Sequence, residues 1–162
     1  MKMARSLWNT LSPDTRSMET QLDLAQQTIV HFMTTRVVTV GMDETLANVK
    51  GIFQTFPFHH LMVVEQGKLV GIISDRDLLK AVSPYVGTLS ETTRDLATLS
   101  KRAHQIMSHH LIVASVTTTL QDAAELMITK KVSCLPVVSS DGSLLGLITW
   151  KDLLKGFLNF VP

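Results

Sequence analysis

The segment GLITWKDLLK, Gly146–Lys155, joins a short apolar run to a hydroxyl residue and, three positions later, to an acid. The segment GIISDRDLLK, Gly71–Lys80, has the same pattern. Short apolar runs of this kind are typical of buried strands, and a hydroxyl followed three residues later by an acid is typical of a helix start. Each segment therefore predicts a strand that leads directly into a helix, with the helices starting near Asp75 and Trp150.

The two segments belong to a longer internal repeat. A shift of 74 positions places Met33 on Met107 and Val63-Val64 on Val137-Val138. One additional residue in the turn SSDGS changes the shift to 75, after which Asp77–Lys80 falls on Asp152–Lys155. Agreement of this density, with a single gap placed in a turn, indicates a duplicated unit.

Each copy predicts the element order β-α-β-β-α. The runs RVVTV (36–40) and LIVAS (111–115) favour opening strands, and the polar residues before Leu46 and Leu120 favour helix N-termini. Two apolar strands around a glycine-containing turn follow in each copy, which is typical of a hairpin. We expect an α+β, α/β-like fold in which the two repeats pack as a pseudo-symmetric pair, because one such unit alone buries little surface. The junctions would then line clefts between the repeats.

The composition excludes several classes of protein. The chain has 162 residues, 45% of them hydrophobic and 18% charged, and its net charge is +1. These values are typical of a globular protein and give no electrostatic footprint for nucleic acid or an anionic membrane. No apolar run approaches the roughly 20 residues of a membrane span, and the first residues lack the apolar core of a secretory signal. A single cysteine, Cys134, suits a reducing compartment, so we expect a cytoplasmic protein.

The chemistry of the repeated junction fits a ribose and a phosphate. The helix N-terminus and the hydroxyl of Ser74 or Thr149 can donate to phosphate oxygens, and the neighbouring Arg76 and Lys151 add positive charge. The carboxylate of Asp77 or Asp152 is a suitable acceptor for vicinal ribose hydroxyls. The same residues also form the pattern of a helix-capping box. Residue chemistry alone leaves these two interpretations evenly balanced.

The tandem β-α-β-β-α order, closed in each copy by Gly-apolar-apolar-Ser/Thr-x-x-Asp, resembles a pair of CBS domains of the cystathionine β-synthase type, also called a Bateman module. The segments FMTTRVVTV, IMSHHLIVA and KVSCLPVV also resemble that family, although the first copy has Met62 at the position of the proline. The resemblance implies four parts: an N-terminal segment, partly helical, at 1–28, a first CBS repeat at 29–84, a linker at 85–102 and a second CBS repeat at 103–162.

The resemblance also implies a ligand and the residues that bind it. Members of the family bind adenosine-containing ligands, here AMP, ADP, ATP or S-adenosylmethionine, and regulate another activity. Asp77 and Asp152 would hold ribose, while Ser74 and Thr149 would hold phosphate. Further contacts, to the base and its ring, would come from Val38, Phe58, His59, His60, Ile112, Val132, Ser133 and Cys134.

Other chemistry finds little support in the sequence. Adjacent histidines on a strand point to opposite faces, so His59-His60 and His109-His110 do not predict a metal site. Cys134 has no accompanying His and Asn pattern, and no P-loop or nucleophile-elbow motif occurs. We therefore expect no catalytic residue, no metal and no catalytic cofactor, and hence no enzyme.

These observations predict a stand-alone regulatory module that binds an adenine nucleotide, forms a homodimer and signals to an unknown effector protein. One alternative is a structural or dimerisation protein whose clefts are empty and whose junctions are only helix caps. A less favoured alternative is an enzyme that uses a bound nucleotide as its substrate.

Overall fold

The computed structural model describes residues 25–159, with the side chains described as far as residue 158. The predicted N-terminal segment 1–28 lies almost entirely outside this range. The chain divides into two compact units. Unit 1 contains the described residues before Thr34, together with Val116–Leu135 and the described residues from Ile148 onward, and unit 2 contains Thr34–Ser115 and Pro136–Leu147. The units therefore do not coincide with the two sequence repeats.

The helices and strands follow the predicted order, apart from the opening strand of the second repeat. The first repeat contains β1 (Thr39–Val40), α1 (Leu46–Thr55), β2 (His60–Glu65), β3 (Lys68–Ser74) and α2 (Asp75–Ala81). A connector contains α3 (Thr93–Ala97) and two single 3-10 turns, Thr98–Ser100 and Ala103–Gln105. The second repeat contains α4 (Leu120–Lys130), β4 (Cys134–Val138), β5 (Leu144–Thr149) and α5 (Trp150–Asn159). A further 3-10 turn, Ile29–His31, precedes β1.

Both predicted hairpins are present, and the first has a tight turn. Strands β2 and β3 pair in antiparallel fashion, with Glu65 opposite Lys68. The two residues between them, Gln66 and Gly67, both have positive φ, at 51° and 79°. This is the conformation of a type I′ turn, whose twist matches that of the flanking strands. Strands β4 and β5 form a second, two-stranded sheet with a longer turn that contains Gly142.

The opening strands are shorter than the sequence predicts. In the first repeat only Thr39 and Val40 form a strand, which lies parallel to β2 opposite Met62 and Val63. In the second repeat the predicted strand LIVAS is wrong, since only Ala114 bridges to Val137. Pro136 gives the reason, because a parallel ladder extended toward Ile112 would require an N–H group that proline lacks.

Each unit has its own apolar interior. In unit 2 the buried side chains come from β1–β3, α1, α2 and the first residues of the second repeat: Val40, Leu46, Val49, Leu61, Val63, Ile73, Leu78, Ala103 and Met107. In unit 1 the fully buried residues are Ile29, Leu120, Ala123, Leu135 and Ile148. In α1 the side chains of Leu46 and Val49 are fully buried, whereas Phe56, which follows its last residue, is 43% exposed.

The duplication extends to backbone hydrogen bonds. In unit 2 the Leu46 amide donates to the Lys101 carbonyl at 2.9 Å, and the Ala103 amide donates to the Glu44 carbonyl at 2.8 Å. The corresponding bonds in unit 1 run from Leu120 to Gln27 at 2.8 Å and from Ile29 to Thr118 at 3.0 Å. Every donor and acceptor of one pair of bonds lies 74 positions from its counterpart in the other pair, so the start of each long helix is bonded to the segment that opens the other repeat.

Candidate functional site

The first junction, at the end of β3, is built as a capping box. Ser74 precedes α2, and its hydroxyl and amide both donate to Asp77 Oδ2, at 2.6 Å and 2.9 Å. The Asp77 amide in turn donates to Ser74 Oγ at 3.2 Å. This reciprocal arrangement satisfies backbone donors that a helix start otherwise leaves without acceptors.

The second junction, at the end of β5, repeats this geometry. The Thr149 hydroxyl and amide donate to Asp152 Oδ2 at 2.6 Å and 2.9 Å, and the Asp152 amide donates to Thr149 Oγ1 at 3.4 Å. The capping interpretation is therefore correct for both copies. It leaves room for a ligand, because the capping contacts use Oδ2 and do not involve Oδ1 of either aspartate. Both carboxylates are half-buried.

At each junction one backbone hydrogen bond joins the helix start to the residue just before the first strand of the hairpin. The Asp75 amide donates to the His59 carbonyl at 3.1 Å, and the Trp150 amide donates to the Ser133 carbonyl at 3.2 Å. The predicted base-contacting residues His59 and Ser133 are thus brought beside the predicted phosphate-binding residues Ser74 and Thr149. This juxtaposition arises because a hairpin aligns the start of its first strand with the end of its second.

The side chains at the two junctions differ. At the first junction His59 Nδ1 lies 2.7 Å from Asp75 Oδ2. Partial burial raises the pKa of Asp75, but hydrogen bonds from His59 and the Arg76 backbone outweigh this effect and hold the pKa below its usual range. At the second junction Trp150 replaces the acid, and the Lys151 ammonium lies over its ring at 5.9 Å. The first junction therefore carries an additional carboxylate that the second lacks.

The backbone amides of the two helix starts differ as well. At the first junction the amides of residues 75 and 77 donate to the His59 carbonyl and to Ser74 Oγ, and the Arg76 amide lowers the pKa of the adjacent Asp75 carboxylate. At the second junction the amides of residues 150 and 152 are similarly engaged, whereas the Lys151 amide has no acceptor among the described residues. An unused amide in the first turn of a ten-residue helix is a suitable donor to an anion.

His60 lies directly across the hairpin from Ser74, as its cross-strand partner. Burial lowers the pKa of His60 below its usual value of 6.5, against the raising effect of the Asp75 carboxylate. The imidazole is therefore predominantly neutral at pH 7, and it can act as a hydrogen-bond donor and acceptor beside the junction.

The remaining predicted residues of the first copy have packing roles. Phe58 stacks on Phe56 with ring centroids 5.6 Å apart and meets Phe53 edge-on at 5.8 Å. Val38 and Phe58 both pack against the apolar core of unit 2. Arg76 is exposed and forms no ion pair within residues 25–159, so its guanidinium group is available to a ligand.

In the second copy, Val132 and Ser133 precede β4 and Cys134 begins it. Cys134 is buried, and this burial raises the pKa of its thiol to about 12. A neutral, buried thiol is a packing group and not a nucleophile. Ile112 belongs to unit 2 and is half-buried, whereas Val132 and the Thr149–Asp152 junction belong to unit 1.

Within residues 25–159 no group of three or more His, Cys, Asp or Glu side chains is arranged to hold a metal ion. None of the helices in this part of the chain has the length and apolar character that crossing a membrane requires.

Asp75 and the Lys151 amide were not identified from the sequence. Asp75 lies outside the repeated pattern, because the second copy has Trp150 at the equivalent position. The signal for the Asp75–His59 pair is an acid in the first turn of α2 together with a histidine just before β2, the strand that pairs with β3.

These junctions, each closing one copy of the duplicated unit, define a tandem CBS-type fold. The CBS domain family model matches residues 29–84 and 103–159, so the chain belongs to the CBS domain family.

Three proteins illustrate the relationship. The chain is 32% identical over 132 residues to the uncharacterized protein MJ1225 of Methanocaldococcus jannaschii, covering 81% of this chain and 47% of that protein. The crystal structure of MJ1225 superposes with a TM-score of 0.72 over 82% of this chain and 48% of that one, at 30% identity. The chain is also 31% identical over 120 residues to inosine-5′-monophosphate dehydrogenase of the same organism, covering 74% of this chain and 21% of the enzyme. The chain thus spans about half or less of these two relatives.

The structure of a third similar protein contains a ligand. The crystal structure of CBSX2 in complex with AMP has a TM-score of 0.70 and 26% identity, and the match covers 83% of this chain and 98% of that one.

Proposed function

We propose that this chain is a regulatory module that binds an adenosine-containing ligand (AMP, ADP, ATP or S-adenosylmethionine) at its two junctions. The observation that carries the proposal is the identical hydroxyl–carboxylate geometry at Ser74–Asp77 and Thr149–Asp152. In each copy the free Oδ1 of the aspartate would accept from ribose hydroxyls. The AMP complex of the related CBSX2 supports this class of ligand.

The second junction is the better candidate for a phosphate. Its Lys151 amide has no acceptor among residues 25–159, its Lys151 side chain is positive, and Trp150 occupies the first helical position in place of a carboxylate. At the first junction Asp75 occupies that position and would repel a phosphate. We therefore expect a nucleotide phosphate to bind more tightly at the second junction, with Thr149 turning its hydroxyl from Asp152 toward the ligand.

A calorimetric titration with each of the four ligands tests the proposal. Asp152→Asn should weaken nucleotide binding at the second junction at least tenfold, because it removes an ionised acceptor. Asp122→Asn is the matched control, since Thr119 and Asp122 form a capping box at the start of a different helix, α4. Both variants should lose a similar stability of about 1 kcal/mol.

The outcomes separate the alternatives. If Asp152→Asn and Asp122→Asn bind the nucleotide equally well, the junction is a helix cap only. If none of the four ligands binds the wild type, the structural or dimerisation role is favoured. If bound ATP is converted to a product, and Asp77→Asn or Asp152→Asn abolishes this turnover, the chain is a nucleotide-using enzyme and our proposal of a non-catalytic module fails.

We also propose that the module is a cytoplasmic homodimer that signals to a separate effector protein. Helix α5 supports self-association, because Leu154 and Leu158 are 50% and 69% exposed on it. Sedimentation equilibrium should show a dimer that Leu154→Glu combined with Leu158→Glu dissociates, and a monomeric wild type would contradict this part of the proposal.

A further inference from the structure

Unit 2 contains a pocket of about 360 Å³ between helices α1 and α2. Its apolar wall is formed mainly by Phe53, Leu78, Leu79, Val82 and Pro84. This size and lining are typical of sites for small organic molecules, which place a few polar groups around an apolar body. The Ser74 and Asp77 side chains of the first junction are not part of the lining.

Some of the polar and charged side chains that line the pocket already have hydrogen-bond partners, and one does not. Asp75 reaches the lining, but its carboxylate already bonds His59 at 2.7 Å. The Ser83 hydroxyl is also engaged, because it donates to Asp95 at 2.6 Å. The Lys50 side chain is half-buried at the pocket and forms no ion pair or hydrogen bond with residues 25–159. The pocket therefore contains one charged group without a partner among these residues, the positive Lys50 ammonium.

We propose that this pocket binds a small molecule that has an apolar body and one carboxylate group. The apolar body would cover Phe53, Leu79 and Val82, which removes exposed apolar surface from water. The carboxylate would pair with the Lys50 ammonium, and charge-assisted hydrogen bonds of this kind are about twice as strong as neutral ones. The pocket adjoins α2, whose first turn holds Asp77, so the ligand would contact the same helix as a nucleotide at the first junction.

Octanoate is the test probe, with octylammonium as a probe of the same length and opposite charge. Amide chemical shifts of the full chain should move at Phe53, Leu79 and Val82 during an octanoate titration. Lys50→Gln should weaken octanoate binding about tenfold, the loss expected for one charge-assisted bond. Lys80→Gln is the matched control, because Lys80 is exposed and does not line the pocket. A second variant, Val86→Trp, should abolish binding by filling the pocket.

Three results would overturn the proposal. The first is that Lys50→Gln binds octanoate as the wild type does. The second is that octylammonium binds more tightly than octanoate, which would show that Asp75, and not Lys50, pairs with the charged group of the ligand. The third is that octanoate has no effect while Leu79→Glu dissociates a dimer, which would show that a second copy of the chain covers the pocket.

Discussion

Lys68 and Ser143 face each other in an antiparallel bridge between the two hairpins. Two reciprocal hydrogen bonds flank this bridge. The Leu69 amide donates to the Gly142 carbonyl at 3.1 Å, and the Leu144 amide donates to the Gly67 carbonyl at 3.3 Å. The turn glycine of each hairpin thus accepts a bond from a strand of the other, so turn geometry and the pairing of the hairpins depend on each other.

Gly67→Ala should destabilise the protein by about 1 kcal/mol, because Gly67 has a φ of +79° and a side chain there is strained. Gly41→Ala is the control, since its backbone is outside that region and a new Cβ would meet no atom within 4 Å. Urea unfolding followed by circular dichroism measures both. Equal midpoints for the two variants would show that the positive φ at residue 67 does not make an alanine there destabilising.

Gly71→Ala should also destabilise the protein, by about 1–3 kcal/mol. Gly71 is buried, and a Cβ built on it would overlap the Met107 side chain, with Cγ only 2.8 Å away. Met107→Ala alone should be destabilising because it leaves a cavity, but the double variant should lose less than the sum of the two single variants. Strictly additive losses in chemical unfolding would contradict this contact.

Protonation of His60 should make the protein less stable as the pH falls. Burial lowers the folded-state pKa of His60 from 6.5, while Asp75 and Asp77 oppose this effect and His59 and Arg76 add to it. The unfolded chain therefore binds the proton first, and the free energy of unfolding should fall below about pH 6.5 until the folded-state pKa is reached.

His60→Gln should flatten this part of the pH profile, measured as urea midpoints between pH 7.5 and 5. The control is His110→Gln, since His110 is exposed. A His60→Gln profile parallel to that of the wild type would show that another group causes the loss of stability at low pH.

Cys134 should resist alkylation in the folded protein. Its thiol is buried and its pKa is raised to about 12, so almost no thiolate is present at pH 8. Mass spectrometry after treatment with iodoacetamide should show labelling only when guanidinium chloride is added. Because the chain has a single cysteine, the count is unambiguous, and rapid native labelling would contradict the burial.

Several features of the candidate site could be predicted from sequence because they depend on neighbouring residues. Helices begin at Asp75 and Trp150, and Thr45 and Thr119 cap α1 and α4 with their side chains. Capping requires only a hydroxyl and an amide three residues away, so the local sequence is sufficient. The sequence could not predict whether the hydroxyls of Ser74 and Thr149 bond to the aspartates of their own helices, since the same residue pattern fits a helix cap and a ligand site.

The sequence by itself determined the duplication, the hairpins with their glycine turns and the strand-to-helix junctions, since each depends on periodicity or on contacts a few residues apart. Tertiary structure decided which residues distant in the chain meet. Thr34 exchanges two hydrogen bonds with Leu147 at 2.8 Å and 2.9 Å, and Pro136 limits the strand expected at LIVAS to one bridge at Ala114. The pocket at Lys50 likewise requires α1 and α2 to lie together. Such contacts depend on the balance of packing and backbone hydrogen bonding over the folded chain, and a local pattern does not contain that information.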